Sequence, residues 1–361
     1  MRILVLGGTG YVGRVTAMEA IGRGHDVTTL NRGSRTAPEG SVAVIGDRLA
    51  AGGSGYAGLD GHGFFDAVVD TWSGDKAAVA GAVAALSGRF GHYAFVSTVS
   101  VHDPPEAGAG AGEKLFNEDT PLCDVNRPGS SASAYQFNKR RGEIEASRAA
   151  AVRGGVSTPV LIVRPGIILG PHERLANNGA RLPWWLQRLH RGGPTLAPCP
   201  RDLALQFIDA RDLAAFVVDA AERRLGGTYI LNGEATGDAA TTIAGFLAYA
   251  NEVAGGRAEL RWTEAKTILD AGIEPWVELP LWTPEAGAKP VAGGCAKRRA
   301  DIYNWDVAKA RREGLRTRPV LETIRDTWEW MVRENLVGEN PVVAPAIGLD
   351  PEKEARALNM G

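Results

Sequence analysis

Short apolar runs alternate with longer helical stretches through the first half of the chain. The runs are rich in β-branched residues and bounded by Gly, Asp or Pro, which is typical of buried strands. They cover residues 3–6, 27–30, 42–45, 67–69, 93–96 and 160–163. The helical stretches cover residues 12–23, 76–86 and 134–152. This alternation predicts an α/β fold, a doubly wound parallel sheet of Rossmann type with helices on both faces.

The pattern changes after Arg164-Pro165-Gly166, where proline, tryptophan and arginine become frequent. A strand and a helix return over residues 206–221 and a further strand over 228–231, before helices and proline-containing loops dominate. The chain is therefore expected to form a Rossmann domain (1–165 and about 206–235), a smaller, mainly helical substrate-binding lobe (about 166–205 and 236–330) and a C-terminal tail (331–361).

The charge balance and the hydropathy pattern argue against two classes of partner. The formal net charge is −2, whereas proteins that bind the phosphate backbone of nucleic acids usually carry a basic excess. No stretch has the roughly 18 consecutive apolar residues that a membrane helix needs. We therefore expect no nucleic-acid partner and no membrane partner.

The cysteines and histidines are placed too far apart for a disulfide framework or a metal site. The three cysteines are Cys123, Cys199 and Cys295, and the six histidines are equally scattered. Ligands of a structural metal usually occur in closely spaced pairs. We expect no bound metal and a cytoplasmic location, where thiols stay reduced.

A glycine-rich loop joins the first predicted strand to the first predicted helix. Its sequence is Gly7-Gly8-Thr9-Gly10-Tyr11-Val12-Gly13. Glycines at this spacing permit a tight turn, close backbone approach to a pyrophosphate and close packing of helix on strand, and the helix N-terminus attracts the anion. The loop predicts a dinucleotide-binding site, although glycines can also serve only to turn the chain.

The end of the second predicted strand bears on the choice of cofactor. An acidic residue there would bind the ribose hydroxyls and favour NAD, but the chain has Asn31-Arg32-Gly33-Ser34-Arg35. Arg32 and Arg35 could pair with a 2′-phosphate, so NADP(H) is favoured and NAD(H) stays possible, as do arginines that simply face solvent. Asp47-Arg48 follows the third strand, where Asp47 is placed to meet the adenine amino group.

Tyr135 and Lys139 lie four residues apart in a predicted helix and therefore on one face of it. A free phenol titrates near a pKa of about 10, and a neighbouring ammonium favours the phenolate, which makes the pair suitable for acid–base work. The fifth strand ends in Ser97-Thr98-Val99-Ser100. Its hydroxyls are expected at the ligand-binding edge of the sheet, although Ser and Thr often end strands without a chemical role.

These motifs together resemble the extended short-chain dehydrogenase/reductase family, the NAD-dependent epimerases and dehydratases, and point to a bacterial reductase-like branch. The resemblance rests on the glycine loop, Ser97-Thr98, Tyr135-x-x-x-Lys139, Arg164-Pro165-Gly166 with Gly170-Pro171, and the segment 207–212. It implies that Thr98 is the catalytic hydroxyl, Tyr135 the acid/base and Lys139 its helper. It further implies cofactor contacts from Asp70, Thr71, Trp72, Ser97, Lys139, Pro165, Gly166 and Ile167.

Several positions depart from the family's sugar-nucleotide enzymes. Leu205 stands where an arginine is usual, His102 replaces a tyrosine, and Val99-Ser100 replaces the acidic pair of the dehydratases. A nucleotide-sugar substrate is therefore not predicted by these residues. The candidates for substrate contact are Ser100, His102, His172, Trp184 and Trp282, although the tryptophans suit the core of the lobe equally well.

The sequence thus favours an enzyme that transfers a hydride between NADP(H) or NAD(H) and a carbonyl or secondary alcohol of a small metabolite. One alternative is an epimerase or dehydratase that oxidises a sugar-like substrate transiently. Another is a non-catalytic cofactor sensor or nucleic-acid binder, since fold alone does not fix function. The resemblance also implies a possible homodimer formed through the helices 76–86 and 134–152.

Overall fold

A parallel sheet of seven strands organises the first part of the chain in the computed structural model. The structure describes residues 1–103, 115–126, 133–150, 152–153, 156–173, 180–235, 241–284, 300–338 and 348–360. The strands are β1 (Arg2–Leu6), β2 (Asp26–Asn31), β3 (Val42–Ile45), β4 (Ala67–Asp70), β5 (Tyr93–Val96), β6 (Val152–Arg153), β7 (Val156–Ser157), β8 (Val160–Pro165), β9 (Ile167–Leu169), β10 (Gly193–Pro198), β11 (Ala204–Leu205), β12 (Phe207–Asp209), β13 (Gly227–Leu231), β14 (Thr241–Thr242) and β15 (Ala258–Thr263).

The α-helices of the described residues lie between and after these strands. They are α1 (Tyr11–Gly22), α2 (Ala77–Ala85), α3 (Ala134–Ser147), α4 (Arg181–Arg191), α5 (Ala210–Glu222), α6 (Ile243–Val253), α7 (Ala265–Asp270), α8 (Ala300–Tyr303), α9 (Ala308–Arg312), α10 (Val320–Arg333) and α11 (Pro351–Met360). Helix α1 packs on α5 and α2 packs on α3, so that two helical layers flank the sheet. The predicted doubly wound α/β fold is confirmed.

The strand order in the main sheet is β13-β8-β5-β4-β1-β2-β3, and every pairing is parallel. Strands β1, β4 and β5 are central, and their apolar residues are almost completely buried. In a parallel sheet the carboxyl ends of neighbouring strands meet at one edge. The segments that follow β1, β4 and β5 are therefore brought together at this edge.

The predicted helix over residues 134–152 ends earlier than expected. Helix α3 stops at Ser147, a single 3₁₀ turn follows at Arg148–Ala150, and Val152–Arg153 pairs with β7. The sequence continues with two glycines at 154 and 155, which disfavour helix by about 1 kcal/mol each. The β-branched residues Val152 and Val156, on either side of these glycines, favour a short strand pair instead.

Two compact units divide the chain. The first consists of Met1–Gly166, Ala210–Asn232 and Trp305–Arg316, and the second of Ile167–Asp209, Gly233–Asn304 and Thr317–Gly361. The segment Trp305–Arg316, which the sequence analysis assigns to the substrate lobe, thus belongs to the sheet-containing unit. The Trp305 ring lies 5.4 Å from that of Phe116, and Lys309 donates to the Thr228 carbonyl at 2.8 Å.

The second unit has its own apolar core, built largely from α4, α6 and α10. Short strand pairs complete it, with β9 beside β12, β10 beside β15 and β11 beside β14. Helix α11 packs against β10, so part of the predicted tail is an integral element of this unit. None of the helices in the described part of the chain is both long and apolar enough to cross a membrane.

Candidate active site

The glycine loop follows β1 and leads directly into α1, as predicted. Gly7 has a φ of +97°, and a Cβ there would lie 2.5 Å from the Thr71 hydroxyl. A Cβ on Gly13 would lie 2.3 Å from the Gly7 carbonyl oxygen. These two glycines are therefore required by the backbone turn and by the packing of helix on strand.

Gly10 is different, because a Cβ there would meet nothing in the protein closer than 3.4 Å. Gly10 is the N-cap residue of α1, and its backbone is extended. The first turn of a helix presents N–H groups that lack intrahelical acceptors and carries a partial positive charge. The loop, including Thr9, Tyr11 and Val12, thus fits a bound pyrophosphate, since Gly10 keeps the approach to these N–H groups open.

At the end of β2 the side chain of Asn31 is buried and turned back onto its own loop. Its Oδ1 accepts from the Gly33 N–H at 2.9 Å. Arg32 and Arg35 are exposed and form no ion pair with the described residues. The segment that follows β2, residues 31–35, therefore contains two exposed guanidinium groups and no carboxylate.

Asp47 and Arg48 have different roles after β3. Asp47 is exposed, and its carboxylate accepts from the Leu49 N–H at 3.0 Å, so it supports the local turn. Arg48 is buried and forms two hydrogen bonds to the Asp70 carboxylate, at 2.8 and 2.6 Å. It also donates to the Tyr56 phenol and to the Ala78 carbonyl. The guanidinium of Arg48 is therefore held in a buried ion pair, and its hydrogen bonds go to protein groups.

Asp70, at the end of β4, is the centre of this buried cluster. Besides Arg48, it accepts from the Tyr93 phenol at 2.7 Å and from the Trp72 N–H at 2.9 Å. Burial, followed by the nearby Asp70 charge, raises the pKa of Tyr93 well above its usual value. The cluster fixes the peptide of Trp72. Thr71 is anchored separately, since its hydroxyl donates to the Leu6 carbonyl at 3.0 Å.

The three hydroxyls after β5 occupy distinct environments. The Ser97 hydroxyl is buried and makes no hydrogen bond with any of the described residues. Thr98 is 6% exposed, and its hydroxyl accepts from the Ser100 N–H at 3.2 Å. The turn Val99–Val101 that follows is a short 3₁₀ helix with Thr98 as its N-cap. Thr98 is thus held at the carboxyl edge of the sheet, close to Ser97 and Ser100.

Helix α3 carries the predicted acid/base pair. It starts with a capping box, in which Ser133 and Gln136 satisfy each other's backbone N–H groups. Tyr135 is 43% exposed, whereas Lys139 is almost completely buried. The two lie one helical turn apart, so the helix presents a phenol outward above a buried ammonium.

The ammonium of Lys139 donates to the carbonyls of Trp72 and Val96, at 2.7 and 2.6 Å. An ammonium has three donors, so one remains after these two bonds to the ends of β4 and β5. Burial lowers the pKa of Lys139 to about 8, while the carboxylates of Asp70 and Glu143 act in the opposite direction. The Lys139 ammonium is therefore mostly protonated at neutral pH, and it loses its proton about one pH unit above neutrality.

A buried ion pair anchors α3 to β8. Arg164 forms two hydrogen bonds to Glu143, at 2.8 and 2.9 Å, and both side chains are buried. Glu143 lies one turn beyond Lys139 on the same helix. Arg140 adds a third bond to the Glu143 carboxylate at 3.0 Å. The Arg164-Pro165-Gly166 motif thus has a structural component, which is to fix the helix that carries Tyr135.

His102 belongs to this buried cluster and is 2% exposed. Its Nδ1 lies 2.7 Å from the Thr120 carbonyl and its Nε2 lies 3.2 Å from Arg164. Burial and then the Arg164 charge lower the pKa of His102 to about 4. The neutral ring therefore donates through Nδ1 and accepts through Nε2, and it holds the turn after β5 rather than facing an open surface.

The residues after Arg164 continue the sheet. Pro165 pairs with Leu231 in β13, and a Cβ on Gly166 would lie 2.2 Å from the Asn232 side chain, so glycine is needed for packing there. Ile167 belongs to the second unit, is buried and pairs with Phe207. Their proposed contact with nicotinamide stays a prediction.

The remaining substrate candidates lie in the second unit. Trp184 is 8% exposed and Trp282 is fully buried, and both belong to the apolar core of the unit. The His172 ring lies 5.3 Å from that of Trp330. For the two tryptophans the structure therefore favours the core role that the sequence left open.

Sequence reasoning missed several residues that organise the site. Gln136, Glu143 and Tyr93 are buried polar groups that position the catalytic candidates. Gln136 occupies a variable position of the Tyr-x-x-x-Lys motif, and the other two lie outside the motifs. The spacing Ser133-x-x-Gln136 before a helical stretch was an available indication of the cap. Glu143, at i+4 from Lys139, was an indication of a second polar position on the same helical face.

Comparison with solved structures supports this fold. A UDP-glucose 4-epimerase gives a TM-score of 0.65 at 14% identity, over 94% of this chain and 100% of that one. A UDP-N-acetylglucosamine 4-epimerase from Bacillus cereus gives 0.60 at 14% identity, over 92% and 99%. The enzyme WbmH of Bordetella bronchiseptica, in complex with NAD+, gives 0.60 at 17% identity, over 92% and 98%.

No protein-family model matches the chain, and no curated protein matches its sequence. At these identities the likeness to solved structures shows the fold. The fold that the resemblance to the extended short-chain dehydrogenase/reductase family implies is confirmed.

Proposed function

We propose that this chain is an NAD(P)-dependent oxidoreductase that acts on a carbonyl or secondary alcohol of a small metabolite. The observation that carries the proposal is the arrangement at the carboxyl edge of the sheet. There Thr98 follows β5, and Lys139 joins α3 to the ends of β4 and β5. The glycine loop after β1 supplies the fitting cradle for the cofactor's pyrophosphate.

The nicotinamide ring, when bound, supplies or accepts the hydride. In the reducing direction Tyr135 donates its phenolic proton to the substrate oxygen as the carbonyl carbon becomes an alcohol carbon. The Thr98 hydroxyl donates a hydrogen bond to the same oxygen and holds it beside the phenol. The remaining donor of Lys139 serves the cofactor or the phenolate, and its positive charge lowers the cost of forming the phenolate.

We propose NADP(H) as the preferred cofactor. The support comes from the end of β2, where Asn31 is turned onto its own loop and no carboxylate would repel a 2′-phosphate. Arg32 and Arg35 are exposed and available to pair with it. The solved structure of WbmH contains NAD+, so NAD(H) stays the alternative.

The alternative function is an epimerase or dehydratase that oxidises a sugar-like substrate and returns the hydride within one turnover. Two structural neighbours favour this alternative, since both are nucleotide-sugar 4-epimerases. Leu205, Val99 and Ser100 argue against it. Net cofactor turnover separates the two, because a reductase consumes NADPH and an epimerase does not.

The proposed partner is a small molecule, without nucleic acid, in keeping with the formal net charge of −2. A homodimer through α2 and α3 stays a proposal that follows from the fold family. Light scattering of the purified chain tests it directly.

Titration of the purified chain with NADPH and NADH, followed by nicotinamide fluorescence, tests the cofactor proposal. We expect NADPH to bind at least tenfold more tightly than NADH, since a charge-assisted pair is worth about 1.5–3 kcal/mol. The double variant Arg32→Ala/Arg35→Ala should lose this preference and keep its affinity for NADH. A wild-type preference for NADH would contradict the 2′-phosphate assignment, and absence of binding to either would contradict the proposed function.

A further inference from the structure

Gln136 follows Tyr135 directly in α3 but points into the protein. Its side chain is 6% exposed, whereas that of Tyr135 is 43% exposed. A buried amide must satisfy both its oxygen and its nitrogen to avoid a cost of about 1–3 kcal/mol. The hydrogen-bond partners of Gln136 therefore indicate which parts of the fold it holds together.

The two ends of the Gln136 amide reach different parts of the fold. Its Oε1 accepts from the Ser133 N–H at 2.7 Å, which closes the capping box of the helix. Its Nε2 donates to the Ser100 carbonyl at 2.8 Å, in the turn after β5. The first bond is local to α3, whereas the second spans 36 residues of sequence.

The backbone of Ser100 is in turn hydrogen-bonded to Thr98. Its N–H donates to the Thr98 hydroxyl at 3.2 Å, and the Val101 N–H donates to the Thr98 carbonyl at 3.3 Å. Hydrogen bonds at the N–H and at the carbonyl of Ser100 thus connect the Thr98 hydroxyl, through the Ser100 backbone and Gln136, to the start of α3. These connections end next to Tyr135.

We propose that Gln136 is a positioning residue that sets the separation between the Thr98 hydroxyl and the Tyr135 phenol. The inference rests on the proposed function, in which both groups hold one substrate oxygen. A misplacement of about 1 Å in such an arrangement can lower turnover by about 100-fold. Only a side chain that donates and accepts at the same time serves both ends, which a carboxylate cannot do.

A second account is that Gln136 only caps the helix, and three variants separate the two. Ser133→Ala removes half of the capping box and leaves the bond between Gln136 and Ser100. Gln136→Glu keeps an acceptor for the Ser133 N–H but places a carboxylate against the Ser100 carbonyl. Gln136→Met fills the same space and removes both bonds.

The two hydrogen bonds of the Gln136 amide, to Ser100 and to Ser133, form a bridge between the turn after β5 and the start of α3. Hydrogen exchange followed by mass spectrometry of the full-length chain measures both ends of this bridge without substrate. We expect faster exchange of the Ser100, Val101 and His102 amides in Gln136→Glu and Gln136→Met, and unchanged exchange there in Ser133→Ala. At the start of α3 we expect faster exchange in Ser133→Ala and Gln136→Met only. Equal exchange of the turn after β5 in all three variants and the wild type would overturn the bridge.

A kinetic measurement tests what the bridge does, with NADPH and 2,3-butanedione as the probe pair. Gln136→Glu and Gln136→Met should lower kcat about 10- to 100-fold with an unchanged Kd for NADPH, and Ser133→Ala should stay within about twofold of the wild type. A capping role predicts instead that Gln136→Glu equals the wild type, which would overturn the inference. Failure of the wild type itself to oxidise NADPH would count against the proposed function, while the exchange pattern still decides the bridge.

Discussion

At the scale of single residues, Gly10 differs from Gly7 and Gly13 in what a side chain would contact. A Cβ at Gly7 or Gly13 would collide with the protein, whereas one at Gly10 would meet only the Gly7 oxygen at 3.4 Å. A substitution at Gly10 should therefore be tolerated by the fold and felt by the ligand. This distinction lies in backbone geometry, so the motif alone could not assign the three roles.

We predict that Gly10→Ala weakens NADPH binding at least tenfold, about 1.4 kcal/mol, and changes the free energy of unfolding by no more than about 1 kcal/mol. Fluorescence titration and chemical denaturation measure the two quantities. Gly22→Ala is the matched control, since Gly22 lies in the same helix with nothing within 4 Å of an added Cβ. It should bind NADPH normally, and equal affinity of both variants would contradict the assigned role of Gly10.

At the scale of elements, the position of α3 depends on an ion pair between Glu143 and Arg164 that the sequence pattern did not indicate. The Tyr-Lys spacing predicted a helix with both residues one turn apart, and α3 is that helix, with Tyr135 exposed and Lys139 buried. It gave no indication that Arg164, 21 residues beyond Glu143, pairs with that carboxylate. Long-range pairs of this kind depend on the packing of strand β8 beside the helix, which single-sequence periodicity does not encode.

We predict that Glu143→Gln lowers the free energy of unfolding by about 3–5 kcal/mol, because it leaves the buried Arg164 charge unpaired. Urea denaturation measures the loss. Asp270→Asn is the control, since it removes the carboxylate of an exposed i, i+4 pair with Lys266 and should cost less than about 1 kcal/mol. Similar losses in the two variants would show that Glu143 and Arg164 are not coupled as the geometry indicates.

At the scale of the whole molecule, the sequence predicted the fold class and the sheet edge that gathers the motifs. It assigned segment 305–316 to the substrate lobe, whereas the structure groups Trp305–Arg316 with the sheet-containing unit, because aromatic packing of Trp305 on Phe116 has no periodic signature. It also could not decide whether Trp184 and Trp282 line a pocket or fill a core. Burial depends on what packs from elsewhere in the chain, and in the second unit the answer is core.

Buried titratable groups make stability depend on pH, and His102 in the first unit and Glu173 in the second act in opposite directions. His102 in the first unit has its pKa lowered to about 4, so its contribution is present above pH 6.5 and is lost as pH falls toward 4. Burial raises the pKa of Glu173 in the second unit to about 7, even though it accepts from the Arg181 and Leu182 N–H groups. Its contribution is present below pH 4.5 and is lost as pH rises through 7.

We predict that His102→Asn and Glu173→Gln change the slope of stability against pH in opposite senses between pH 4.5 and 6.5. Each group contributes on the order of 3 kcal/mol across its own window, which is about 2.5 pKa units at 1.36 kcal/mol each. Denaturation midpoints at half-unit pH steps give the slopes. His102→Asn should reduce the loss of stability on acidification, and Glu173→Gln should increase it; slopes that match the wild type in both variants would contradict the assigned protonation states.

In the proposed function, Tyr135 moves the proton of a hydride-transfer reaction. The most direct measurement compares wild type and Tyr135→Phe for NADPH affinity and for NADPH oxidation across a panel of small aldehydes and ketones. We predict an unchanged Kd for NADPH and a loss of at least about 100-fold in kcat, because general acid catalysis contributes about 10²–10⁴-fold. Retention of turnover in Tyr135→Phe would contradict this role.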